Sequence, residues 1–287
     1  MLNLAWDSIS SLYTNLENAE VEWWDEDGTV TEEYWNAAQK PISIALALAQ
    51  QGIEILIKGK IAAVSPFLLL AGTPRDWPSG CDKKNTSFSE FRTIDAHELL
   101  RAHDTICSPK LSNEFKIQFE KLRKIRNVIF HGVSKSQRVT GVDVIKVILE
   151  AVNTLVGEKQ WFVIRKEYLY NHPNSIAYSP DHVDYQLIIE GEKIIELLTN
   201  SELQRYIGFK KKQRSYICYM CSINSGDAGL QPNIAQLKPN LPNSTSLFCF
   251  VCNKEYEVLR KNCIDPDCKG NVIEAEDSIC LSCYKEN

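Results

Sequence analysis

Along the first two hundred residues, apolar positions recur at spacings of three and four, the period of a helix with one buried stripe. The clearest case is Phe115, Phe119, Leu122, Ile125 and Ile129, with steps of 4, 3, 3 and 4. The same pattern predicts a first helix over residues 2–18. In "DEDGTVTEE", a polar turn, Thr29 and Glu32 have the spacing of a capping box for a second helix. Pro41 kinks or restarts that helix. The run that follows, to about Ile61, is apolar nearly all round, as a central bundle helix must be. Its polar positions, Gln50 or Gln51, Glu54 and Lys58, fall on one stripe. "AGTPRDWPSGCDKKNTSFSE" reads as a loop. A short helix over 94–103 comes next, with His97 and His103 as exposed residues. Ser108 and Pro109 suit the start of the motif-bearing helix, and Gly132 its end. One long helix is expected from 142 to about 169. "NHPNSIAYSPD" is a loop, and "VDYQLIIEGEKIIELLT" a last helix.

The helical period stops at "GFKKKQR", residues 208–214. Beyond it Gly, Asn, Pro, Ser and Cys take over. The expected organisation is therefore an all-α antiparallel bundle over 1–209, then a small module over 215–287 with short β-hairpins.

Cysteine placement gives that module its chemistry. Eight of the ten cysteines lie beyond residue 217, in the pairs Cys218/Cys221, Cys249/Cys252, Cys263/Cys268 and Cys280/Cys283. A knuckle of two thiolates three to five positions apart converges on one ion, and two knuckles complete the four-sulfur shell that zinc accepts. Sequence order pairs the first two knuckles in one site and the last two in a second; interleaved pairing satisfies the same chemistry. Both ions would be structural, since four thiolates leave no open position. The segment resembles tandem zinc ribbons, most closely in "RKNCIDPDCKGNVIEAEDSICLSC". Ribbons of this kind bind nucleic acid, bind proteins or only stabilise, so a protein or other ligand sensed by the module is one expectation.

Composition narrows the rest. Hydrophobic residues make up 44% of 287, enough for a real core, and the net charge is −5. The N-terminus has no basic stretch ahead of an apolar one, and charged and amide residues interrupt the apolar run of 41–72. The chain reads as soluble and cytoplasmic, with no membrane partner. Against the acidic total, residues 110–138 carry eight basic and two acidic groups. Lys121, Arg123 and Lys124 can attract an RNA backbone there. Within the same stretch, Arg126 can hold a phosphate in bidentate fashion. Asn127 lies one turn before His131, and imidazole exchanges a proton near neutrality. Together these suit RNA cleavage by the ribose 2′-OH, which requires neither an ion nor a protein nucleophile. Arg126 and His131, five positions apart, leave a straight helix about 140° apart. Either the helix unwinds near Gly132 or a second copy of the chain completes the site.

Arg126-Asn127-Val128-Ile129-Phe130-His131 resembles the R-x4-H motif of HEPN ribonucleases, with Asn in the slot after the Arg. The setting, "ALAQQGIEILIKGKIAAVSPFLLL" early in the chain and "FRTIDAHELL" before the motif helix, is also HEPN-like, over about residues 1–200. The resemblance implies a helical bundle, a homodimer across the motif and metal-independent endoribonuclease activity of the kind found in prokaryotic anti-phage defence and toxins. In that family pattern Arg126 binds phosphate, His131 exchanges the proton and Asn127 supports it. Glu54 and Lys58, an i,i+4 pair inside the bundle, would stand behind the motif. Some such toxins carry a tyrosine two residues after the histidine, where an antitoxin modifies them; here Val133 stands there, so control by that route is not expected. The rival reading is a non-enzymatic helical and zinc-ribbon adaptor that binds nucleic acid or protein.

Overall fold

The protein is described here from a computed structural model covering residues 1–21, 24–131, 138–177, 181–226 and 229–287, without the side chains of Phe130, His131 and Asp181. Gly132 and Val133 therefore lie outside the described residues. The described residues form eleven α-helices followed by a small antiparallel sheet, and the chain divides into two compact units, Met1–Val156 and Gly157–Asn287.

In the first unit, helices α1 (Leu2–Asn18), α2 (Thr29–Ala37), α4 (Ala96–Ile106), α5 (Asn113–His131) and α6 (Gly141–Leu155) all pack on α3 (Gln39–Val64). The α3 sequence explains its central place. Ile42, Leu46, Ile53, Ile57 and Ile61 are buried at helical spacing, and small residues Ala45 and Ala49 between them let neighbours approach. Among the described residues only α3 is long and apolar enough to cross a bilayer, and half of its most apolar stretch is buried within the protein. Pro41 sits in the first turn of α3, where its missing amide costs nothing, so it restarts the chain rather than kinking a helix. Trp6 and Ile9 of α1, Leu99 of α4, Phe115 and Phe119 of α5, and Ile148 of α6 complete the core.

Several helix starts differ from the sequence expectation. Thr29 does not cap α2. Gly28, at φ 73°, occupies the N-cap, and the carboxylates of Asp25 and Asp27 take the free amides instead: Asp25 accepts from Val30 at 3.0 Å and Thr31 at 2.8 Å, Asp27 from Thr29 at 3.0 Å. Helix α5 opens later than Ser108, with Ser112 Oγ accepting the Phe115 amide at 3.1 Å. The link into α5 is pinned by Asp104. Its carboxylate accepts from the Leu111 amide at 2.9 Å, contacts His103 Nδ1 at 3.1 Å and pairs with Lys116. His103 is therefore buried, not exposed. Burial works against the Asp104 carboxylate, but the Lys116 ammonium, the Leu111 amide and the His103 ring outweigh it and hold its pKa down at about 2. A carboxylate whose pKa is lowered by folding stabilises the fold above its unfolded value and loses that contribution as pH falls through the folded value. The Asp104 contribution is thus expected to be complete above about pH 4 and to fade towards pH 2. Urea midpoints across that range should fall less steeply in Asp104→Asn than in the parent protein.

The expected helix over 142–169 is two. Helix α6 ends at Leu155, and α7 (Trp161–Tyr170) begins after a turn containing Gly157 and Lys159, the latter at φ 60°. This turn is the boundary between the units. The second unit then contains α7, the short α8 (Pro173–Ala177) inside the segment expected to be a loop, α9 (Asp181–Leu197) and α10 (Asn200–Tyr206). Helix α11 (Tyr219–Asn224) springs from the first cysteine knuckle. Strands β1 (Ala235–Leu237), β2 (Ser246–Cys249), β3 (Lys254–Leu259) and β4 (Ile273–Glu274) pair antiparallel in that order, with Ala235 opposite Cys249 and Val258 opposite Glu274. The change of composition at 208–214 falls inside this unit, because its helices and sheet share one core. Phe250 stands edge-on to Phe162 of α7 at 5.2 Å and to Phe209 at 5.6 Å. A Cβ on Gly191 of α9 would lie 2.6 Å from Val251, a distance only glycine permits. Between α7 and α9, Arg165 is fully buried and donates to both oxygens of Glu190, at 3.0 and 2.7 Å. An ion pair so placed fixes the register of two helices more than it adds stability.

Candidate functional site

Two arrangements carry chemistry. The first is the cysteine module. Hairpin β2–β3 presents Cys249 at the end of β2 and Cys252 in the turn, where Asn253 at φ 52° reverses the chain. Cys218 and Cys221 come from the start of α11. The sulfurs of these four lie within 4.8 Å of one another, and those of Cys263, Cys268, Cys280 and Cys283 do the same. Knuckles therefore pair in sequence order, and interleaved pairing is excluded. Contacts across the first cluster are 3.8 Å for Cys218–Cys252 and 3.8 Å for Cys221–Cys249; across the second they are 3.7 Å for Cys263–Cys283 and 3.9 Å for Cys268–Cys280. A tetrahedron with zinc–sulfur bonds of about 2.3 Å has edges of about 3.8 Å. None of the ten cysteines is in a disulfide. Zinc binds cysteine as thiolate, and four thiolates held this close need a cation among them. Each cluster can hold one structural zinc ion, and its four sulfurs fill the coordination shell.

The second arrangement is on α5 and α3. The apolar stripe of α5 buries Phe115, Phe119 and Leu122, while Ile125 and Ile129 remain half-covered. At this less covered end Arg126 turns towards α3, with its Nη1 3.8 Å from Glu54 Oε1. That same oxygen accepts a 2.6 Å hydrogen bond from Gln50 Nε2. Gln50 is fully buried and Gln51 exposed, so of the two it is Gln50 that joins the polar seam. Two buried atoms of the seam, Arg126 Nε and Gln50 Oε1, have no hydrogen-bond partner among the described residues. A donor and an acceptor left open in a buried setting cost stability and mark a place where something else can bind.

The remaining expected residues divide. Lys58 does not pair with Glu54; it donates to Thr93 Oγ1 at 2.8 Å. Arg123 is occupied by Glu120, with Nε at 3.0 Å and Nη2 at 2.8 Å from one carboxylate oxygen. Lys116 pairs with Asp104, so part of the local positive charge is compensated within the unit, and Arg138 donates to the Asn36 side-chain oxygen. Lys121 and Lys124 are exposed, and Asn127 is half-buried beside Arg126. The α5 backbone is helical as far as His131, whose side chain lies outside the described atoms. Sequence reasoning missed the partnership of Glu54 with Arg126, seventy-two positions apart. It could have chosen Gln50 over Gln51 by helical phase, since Gln50 is in step with Leu46 and Ile53.

No protein family, curated protein or solved structure matches the chain.

Proposed function

We propose that the protein is a metal-independent endoribonuclease of HEPN type, acting as a homodimer in prokaryotic anti-phage defence or as a toxin. The observation that carries this reading is the Arg126 guanidinium. It is held at the end of a helix by Glu54, with a buried N–H still open, one residue from Asn127 and five from His131. Arg126 would take the non-bridging oxygens of a phosphodiester in its planar fork. The neighbouring 2′-oxygen attacks phosphorus and gives up its proton to a base, while the bond from phosphorus to the 5′-oxygen breaks and that oxygen takes a proton. His131 is the group suited to carry one of these protons, and Asn127 to orient it or the substrate. The zinc ions take no part, their shells being filled by sulfur.

Two measurements test this. Cleavage of RNA by the full-length protein should leave a 2′,3′-cyclic phosphate on one fragment and a 5′-OH on the other, and a substrate with 2′-deoxyribose at the scissile position should not react. A 5′-phosphate on the product would point to water, free or activated by a metal ion, as the nucleophile and end the proposal. The second measurement concerns assembly. Because α5 keeps its helical path to His131, positions 126 and 131 stay about 140° apart, and one chain cannot easily turn both towards one phosphate. Two copies meeting at their α5 ends across a two-fold axis would solve this. Light scattering should find a dimer under assay conditions; a monomer with full activity would remove this part of the reading.

A further inference from the structure

The basic run "FKKKQR", which marks the end of the helical sequence pattern, becomes part of a built site in the second unit. Gln236 on β1 clamps the run: its Oε1 accepts from the Lys210 amide at 3.0 Å, and its Nε2 donates to the carbonyls of Lys210 at 2.8 Å and Gln213 at 3.1 Å. Gln213 returns a bond to the Leu237 carbonyl at 2.7 Å. The run is thus a fixed rim and not a loose tail. It borders a cavity of about 340 Å³ whose other walls include the end of β1 and Phe248 of β2. Phe248 is half-buried in the wall, and the Lys238 ammonium stands 4.4 Å from its ring centre. Phe209 and Phe250 lie buried within the same lining.

Lys210 and Lys238 line this opening, and Lys211, Lys212 and Arg214 continue the basic run beside it. Lys210, Lys211, Lys212, Arg214 and Lys238 are all exposed. Lys238 comes within 3.9 Å of Glu255, Arg214 donates to Ser282 Oγ at 3.1 Å and stands over the Tyr216 ring, and Lys211 Nζ reaches the Glu196 carbonyl at 3.4 Å, whereas the Lys210 and Lys212 ammonium groups have no acidic partner among the described residues. Four of these cations lie within the five residues Lys210–Arg214, more than a single phosphate group would use. A flat ring beside a run of exposed cations, two of them without an acidic partner, is the combination that holds single-stranded nucleic acid: bases stack on the ring, and phosphates follow the cations. Asn240, at the mouth, offers an amide to a base edge. An acidic peptide would satisfy the cations but not use the ring. We infer that this face of the second unit grips single-stranded RNA, one nucleotide seated against Phe248 and its neighbours along Lys210–Arg214. The inference rests on the ribonuclease reading only for the purpose of the grip, which would hold the substrate strand; the binding itself stands on the pocket.

The test uses the full-length His131→Ala protein, in which cleavage is removed, and a fluorescent single-stranded RNA of about 12 nucleotides. Anisotropy titrations at several salt concentrations should show Lys210→Ala/Lys212→Ala binding about tenfold more weakly, with the salt slope reduced by about 1.4, the value for two lost phosphate contacts on a single strand. Phe248→Leu, which keeps the apolar filling but removes the flat ring, should weaken binding several-fold and leave the slope unchanged. Two zinc ions per chain in each variant confirm that the unit is folded. Parental affinity and slope in both variants would overturn the inference. So would displacement of the strand by AMP or UMP at equal nucleotide concentration, which would assign the pocket to a free nucleotide. Cleavage by the chain with His131 intact is read separately. RNA held at this face by a protein that never cuts it would defeat the ribonuclease reading alone, and cutting with unchanged binding in the variants would defeat this inference alone.

Discussion

Cys249→Ser is expected to cost the protein one of two zinc ions and, with it, the helices from Trp161 to Tyr206 as well as the four-cysteine segment. Cys249 is completely buried, and its sulfur touches that of Cys221 across the first cluster. The next two residues in the chain, Phe250 and Val251, are the ones that meet the helices, through Phe162, Phe209 and the bare backbone of Gly191. A knuckle that opens at residue 249 therefore withdraws the side chains on which α7 and α9 rest. Structural zinc contributes roughly 10–16 kcal/mol in small four-ligand sites. Domains as a whole are stable by about 5–15 kcal/mol. Losing a thiolate from such a site is enough to unfold the part of the unit built on the first cluster, while the second cluster keeps its own four sulfurs. Elemental analysis should fall from two zinc ions per chain to one, and hydrogen exchange should show the amides of α9 losing protection while those of α3 keep theirs. If α9 stays protected in a variant that has lost its zinc, the helices have a core of their own.

This expectation could not have been reached from the sequence, and the reason is instructive. What was legible depends on signals close together in the chain. The period of α1 gives its bounds at Leu2 and Asn18, and cysteine spacing gives the four knuckles, while only the fold decides between pairing in sequence order and an interleaved one. Punctuation was harder. Gly157 and Lys159 break a pattern that looks continuous from Val142 to Leu169, because apolar residues resume in phase on the far side of the turn. Thr199 and Glu202 form a capping box that announces α10, a local signal that composition at 208–214 overshadowed. Thr29 has the right spacing to cap α2 and loses to Asp25, whose position is set by the left-handed turn at Gly28. Contacts between distant residues were not legible at all. Glu54 meets Arg126, Lys58 meets Thr93 and Gln236 clamps Lys210 only because helices and strands pack in three dimensions, and each of these pairs changes what the site can do.

Arg126→Ala and His131→Ala are each expected to reduce RNA cleavage at least about a hundredfold while leaving the first unit folded, as removal of a charge-stabilising or proton-transferring group does. Neither residue belongs to the buried stripe of Phe115, Phe119 and Leu122 that fastens α5 to the bundle. Arg126→Lys is the more telling substitution. Lysine keeps the positive charge near Glu54 but loses the planar fork and the N–H that Arg126 holds open, so cleavage should fail almost as completely as with alanine. Glu54→Gln should be milder, slowing cleavage severalfold, because it loosens the guanidinium without removing it, and an Arg126→Lys/Glu54→Gln double variant should be no worse than Arg126→Lys alone. Circular dichroism and thermal midpoints near those of the parent establish that the loss is chemical. A folded His131→Ala protein that cleaves as fast as the parent would show that the proton moves through another group. A parent protein that binds single-stranded RNA and leaves it intact would give way to the adaptor reading, in which Arg126 and its neighbours only hold the strand.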